Sequence, residues 1–234
     1  MLGILFVFSE EEILGMIKLI DVSKKFKNKM LYQNVNLEIK EGECIGIVGE
    51  NGSGKSVLFK IIAGLEYADT GTVTVRNKKV GKNCDFPDNL GILVNQPGYI
   101  DYYNGFKNLK LLAEIRNKIS DDDIRDNMVS IGLDPDDNTK VKNYSAGMKQ
   151  KLGIVQAFME NQEIILLDEP FNALDFKTNS DVMETLLRLK ASGRTIILTS
   201  HQHNYLEKIC DRLLIILDNQ IVELTDELKE KYFH

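Results

Sequence analysis

The stretch IVGENGSGKSVLFKIIAGL, Ile47 to Leu65, decides the reading of the chain. It sets Gly49, Gly52 and Gly54 within six residues, follows them at once with Lys55 and Ser56, and then runs into an apolar helical pattern. The spacing matches G-x-x-x-x-G-K-[ST], with Glu50, Asn51, Gly52 and Ser53 as the four intervening residues and a strand-like run before it. Glycines let backbone N–H groups close around phosphate oxygens, and the helix opening at Lys55, Ser56 and Val57 points its positive end at them. Lys55 is placed to reach the β- and γ-phosphates, and Ser56 to bind Mg²⁺ through its hydroxyl. The bland alternative is a glycine-rich turn that only starts a helix.

Such a loop needs acidic company downstream. IILLDEP, Ile164 to Pro170, puts Asp168 at the end of a compact apolar run, where a carboxylate completes a magnesium shell, and Glu169 beside it as the group that orients or deprotonates an attacking water. Paired acids after a strand are common turn residues, so this motif gains its meaning from the glycine loop.

Working outward, short apolar strands alternate with amphipathic helical stretches. GMIKLIDV, NVNLEI and GTVTVRNKKV alternate as strands of a partly solvated sheet do, whereas ECIGIVG, EIILLDE and TIILTS are continuous apolar runs suited to strands covered on both faces. Between Tyr102 and Glu160 the pattern turns helical, and RLLIILDNQIVEL reads as two strands joined by an Asp-Asn turn. The fold class is α/β. Residues 1–15, GILFVF followed by Ser9 and three glutamates among them, lack the marks of a secretory signal and read as an extension upstream of Met16.

Composition narrows the class. The 234 residues suffice for one large domain, with 43% hydrophobic and 27% charged residues. A net charge of −6 argues against nucleic acid as the main partner. Cys44, Cys84 and Cys210 have no metal-ligand spacing and read as reduced core or bystander thiols. No apolar run is long enough to span a bilayer.

Further motifs follow in a fixed order: YSAGMKQKL from Tyr144, about a dozen residues before IILLDEP, then NALD ending at Asp175 and TSH ending at His201. From Met16 onward the chain resembles the nucleotide-binding subunit of an ABC transporter. The resemblance implies a P-loop NTPase core with an antiparallel β subdomain and an inserted α-helical subdomain at about 99–161, forming a single cassette over 16–234. It also implies an ATPase that uses ATP and Mg²⁺ and drives a separate integral membrane permease from the cytoplasmic face of the membrane. Its cassettes close head to tail as a homodimer or heterodimer.

The same resemblance assigns roles. Ser145 and Gly147 belong to the signature stretch that faces the γ-phosphate held by the opposite subunit, on a helix beginning near Met148. Ala146 and Met148 replace the usual glycine and glutamine, and Ala146 narrows the allowed backbone. Gln96 matches the glutamine loop that reaches Mg²⁺ or the attacking water, His201 the switch histidine at the γ-phosphate, and Asp175 the loop crossing the dimer interface. Phe26 is the aromatic that stacks on the base, with Tyr32 nearby. The aromatic group Tyr99, Tyr102, Tyr103 and Phe106 lies where a permease helix docks, half of it expected to be core. Charge alone adds a reading of Lys140, Lys142, Lys149 and Lys151 as a basic strip facing nucleotide. Two alternatives stay open from the residues: an ABC-type ATPase not coupled to transport, and a P-loop phosphotransferase.

Overall fold

The computed structural model describes residues 15–81, 86–95, 98–172 and 174–233. The extension read at residues 1–15 lies outside them apart from Gly15, as do Cys84 and Gln96. Met16, where the cassette reading begins, is buried.

A four-stranded antiparallel sheet forms from the alternating segments. Its strands are β1 (Ile17–Phe26), β2 (Lys29–Ile39), β4 (Thr70–Val75) and the short β5 (Lys78–Lys79), in the order β2-β1-β4-β5. Burial along β1 alternates, because one face packs inward and the other meets water. The β4–β5 hairpin turns through Arg76 and Asn77, both at positive φ, the geometry a two-residue hairpin turn requires.

The continuous apolar runs build a six-stranded sheet in the order β10-β9-β3-β8-β7-β6. It comprises β3 (Cys44–Gly49), β6 (Leu90–Leu93), β7 (Ile164–Leu167), β8 (Thr195–Thr199), β9 (Arg212–Leu217) and β10 (Gln220–Glu223). Every residue of β7 and β8 is buried, and β3 is buried up to Gly49. At about 1.5–3 kcal/mol for each fully buried large aliphatic side chain, Ile164 to Leu167 alone are a major contribution to this layer. β9 and β10 pair antiparallel around Asp218 and Asn219, again both at positive φ.

Helices cover the sheet. They are α1 (Lys55–Ile62), α2 (Gly105–Arg116), α3 (Asp121–Ser130), α4 (Ala146–Phe158), α5 (Phe176–Ala191), α6 (His203–Ile209) and α7 (Asp226–Phe233). One apolar cluster joins α2, α3 and α4 to β7 and β8 through Leu109, Met128, Leu152, Ile165 and Leu198. A second joins the two sheets around α1 through Ile17, Ile45 and Phe59.

The strand order has a chemical consequence. β3, β8 and β7 are neighbours and parallel, so the segments leaving their carboxyl ends emerge side by side. In open parallel sheets ligands bind along that edge.

Candidate active site

The glycine loop leaves β3 at Gly49 and enters α1 at Lys55. Gly49, Gly52 and Gly54 all take positive φ, at 150°, 75° and 109°. Gly54 is the most constrained of them, since a Cβ there would lie 2.5 Å from the Tyr32 hydroxyl. That hydroxyl donates to the Gly54 carbonyl, which also accepts the Leu58 N–H at 2.9 Å. Tyr32 is wholly buried, and burial pushes its phenol pKa up. It therefore buttresses the loop from beneath, whereas Phe26 stands half exposed at the end of β1. Val57 packs against the cluster around α1, while Glu50, Asn51 and Gly52 are exposed.

Lys55 is buried, and its ammonium donates to the carbonyls of Gly49 and Glu50 at 2.7 and 3.2 Å. Burial lowers its pKa, and the charges of Glu169 and Asp168 pull it back up. Ser53 Oγ is buried with no hydrogen-bond partner. An orphaned hydroxyl inside a loop of positive-φ backbone fits a phosphate oxygen.

Asp168 leaves β7 facing the loop. The Ser56 hydroxyl donates to its Oδ2, and Thr199 at the end of β8 donates to Oδ1 at 2.8 Å. Thr199 was not marked in the sequence; its position on the strand between β3 and β7 is what brings it there. Ser56 and Asp168 are hard oxygen donors of the kind Mg²⁺ takes alongside phosphate oxygens and waters, so the pair fits that ion.

Glu169 has φ of 53°, a left-handed conformation that costs a non-glycine residue roughly 1–3 kcal/mol. The neighbouring groups hold it there. Its N–H donates to Thr199 Oγ1 at 2.8 Å, and its carbonyl accepts from the Asn172 N–H and from Gln150 Nε2, both at 3.1 Å. Oε2 accepts the His201 N–H at 3.1 Å. Oε1 is buried without a hydrogen bond, 3.4 Å from His201 Nε2. Oε1 is thus an acceptor with unused hydrogen-bonding capacity. His201 and the loop residues Glu50, Asn51 and Ser53 line one cleft of about 550 Å³.

The signature residues lie elsewhere. Ser145 caps α4, its Oγ accepting the Met148 N–H at 3.1 Å, so the helix begins at Ala146, two residues before the expected start. As a first helical residue Ala146 carries no positive φ, and the substitution for glycine imposes no backbone strain here. A Cβ on Gly147 would meet only Leu174 Cδ2 at 3.5 Å and atoms beyond, ordinary contact distances. Asp175 caps α5, accepting the Thr178 N–H at 2.8 Å. Ser145, Gly147 and Asp175 line a cleft of about 350 Å³ that shares no lining residue with the glycine-loop cleft.

Of the four lysines read as a basic strip, Lys151 lines the cleft of Ser145 and Gly147. Lys151 is 7% exposed and its ammonium meets Asp181 at 2.8 Å, while the Lys142 ammonium lies over the Tyr102 ring. Only Lys149 and Lys151 of the four lie on α4, whereas Lys140 precedes and Lys142 lies in the short 3-10 turn at Val141–Asn143 before it. Tyr99 and Phe106 pack on the apolar cluster, and Tyr102 is 70% exposed.

The family model described as ABC transporter matches residues 32–172, more than half of the chain. The chain belongs to the ABC transporter family. It is an ATP-binding cassette subunit and an ATPase. An uncharacterized ABC transporter ATP-binding protein, YybJ of Bacillus subtilis (strain 168), is 37% identical over 196 residues, covering 84% of this chain and 90% of its own. The bacitracin transport ATP-binding protein BcrA of Enterococcus faecalis is 29% identical over 205 residues, 87% of this chain and 67% of its own. The cassette MJ0796, in a dimeric post-hydrolysis state bound to ADP and Pi, superposes with a TM-score of 0.78 at 27% identity, covering 90% of this chain and 99% of that one. Among the described residues no helix is long and apolar enough to cross a membrane.

Proposed function

We propose that two cassettes close head to tail on ATP and Mg²⁺, each phosphate loop being completed by the signature stretch of the other, and that closure drives a membrane permease. The observation carrying this reading is the division of the site-lining residues between two clefts that share none of them. A centre with its glycine loop in one cleft and its signature serine in another is complete only when a second copy supplies what the first lacks.

Within that reading Ser56 and Asp168 hold Mg²⁺, which when bound neutralises charge shared between the β- and γ-phosphates. Lys55 supplies a fixed cation at the loop, and Ser53 Oγ a hydroxyl for a phosphate oxygen. Glu169 accepts a proton from the attacking water at Oε1, and His201 beside it bears on the γ-phosphate. Gln96 reaches the ion or the water, and Phe26 stacks on the base. Ser145 and Gly147 receive the partner's γ-phosphate at the start of α4, with Asp175 at the interface. The domain division, 16–234 with a helical part at about 99–161, belongs to the same proposal. So does a place on the cytoplasmic face of the membrane, with Tyr102 among the residues offered to the permease.

The test is Glu169→Gln. Hydrolysis is expected to fall on the order of 100-fold or more, with nucleotide retained and a dimer trapped on size-exclusion chromatography in ATP. Normal turnover would remove Glu169 from the assigned role.

A further inference from the structure

Gln150 lies on α4, five residues after the Ser145 cap, and no role was assigned to it from the sequence. Its Nε2 donates to the carbonyl of Glu169 at 3.1 Å. The peptide it holds is the left-handed one, at φ 53° and followed directly by Pro170. The remaining ties on Glu169 come from the end of β8, at Thr199, from His201 beyond it, and from Asn172 in the turn that follows. Gln150 is the tie that comes from α4.

That helix has its other attachments elsewhere. At its start, Ser145 and Gly147 open onto the cleft shared with Asp175. The residue after Gln150, Lys151, donates to Asp181 on α5 at 2.8 Å and reaches the Gly132 carbonyl at 3.5 Å. Held on this side to α5 and on the other to Glu169, α4 cannot shift at its N-terminus without altering one of those bonds. A helix is a stiff element, so a displacement at Ser145 is felt a turn and a half later.

We propose that Gln150 is a positioning residue that couples the N-terminus of α4 to the Glu169 peptide, so that a nucleotide docking from a second copy onto Ser145 and Gly147 aligns the Glu169 carboxylate of this copy's own site. The inference rests on the two-copy reading above and adds a route between the two centres. Gln150 touches neither nucleotide. It acts through Glu169 alone.

The experiment uses the full chain with ATP and Mg²⁺ and compares wild type, Gln150→Leu, Gln150→Lys, Glu169→Gln and the Gln150→Leu/Glu169→Gln double variant. Gln150→Leu keeps the side chain's bulk and removes the donor. Its kcat is expected to fall about tenfold while the KM for ATP stays within about twofold. The Lys variant, which retains a donor, is expected to recover at least about half of the wild-type kcat. In the Glu169→Gln background the same Leu substitution is expected to leave the residual rate unchanged, since the group it positions is already gone. An active wild type with an unaffected Gln150→Leu overturns the inference alone. So does a Leu substitution that lowers the Glu169→Gln rate by the same factor as the wild-type rate, which would mark a merely structural part. A wild type that splits no ATP overturns the ATPase reading and this inference together.

Discussion

The Tyr32 hydroxyl and the Gly54 carbonyl set the shape of the phosphate loop from below. Gly54 has φ of 109° and no room for a Cβ, so the loop's conformation is fixed jointly by a backbone only glycine tolerates and by a buried phenol beneath it. Tyr32→Phe preserves the volume and removes one hydrogen bond, leaving the carbonyl with the Leu58 N–H. The expected loss is about 1 kcal/mol, or about 2–4 °C in the thermal midpoint of a chain this size, with ATP affinity reduced. Differential scanning calorimetry with and without nucleotide checks it, and an unchanged midpoint would mean that the phenol only fills space. The glycines, Lys55, Ser56, Asp168 and Glu169 were legible because phosphate chemistry demands those residue types at that spacing. Tyr32, Thr199 and Gln150 were not. Each acquires its role from strand order or helix register, which bring together residues far apart in sequence and with no motif of their own.

At the scale of elements, the buried strands were legible for the reason that makes them strong: β3, β7 and β8 are covered on both faces and admit almost no polar residue. β6 was missed because LGIL is four residues long, follows the turn Pro87-Asp88-Asn89 and is too short to carry a period. Charge counted along the sequence did not show that Lys151 is bonded to Asp181 beneath the surface, nor that Lys140 and Lys142 lie outside α4. The start of α4 makes a sharper prediction. A methyl group at Gly147 fits the free chain, with its nearest contact at 3.5 Å, and alanine is the better helix former by up to about 1 kcal/mol. Gly147→Ala is therefore expected to keep or raise the thermal midpoint and to bind ATP normally at the glycine loop. Introduced into Glu169→Gln, it is expected to abolish the ATP-trapped dimer, because the methyl group occupies the space a partner's phosphate needs. A dimer that survives on size-exclusion chromatography would mean that the approach to α4 is looser than the two-copy reading requires.

The whole molecule is a cassette, and in the proposed two-copy reading neither copy holds a complete reaction centre by itself. Asp168, Glu169, Thr199 and His201 are linked to one another by hydrogen bonds, with Asp168 joined to Ser56 at the end of the glycine loop, whereas Ser145, Gly147 and Asp175 face a separate cleft. A net charge of −6 does nothing to draw two such chains together, so in this account the nucleotide with its Mg²⁺ supplies the attraction. The most direct measurement is the specific ATPase activity of the purified chain, with saturating ATP and Mg²⁺, as protein concentration is lowered through the range where dimers dissociate. The account predicts that activity per chain falls steeply on dilution and returns when chains are crowded together again. A constant rate per chain at every dilution, from a protein shown to be monomeric in the same solution, would contradict it.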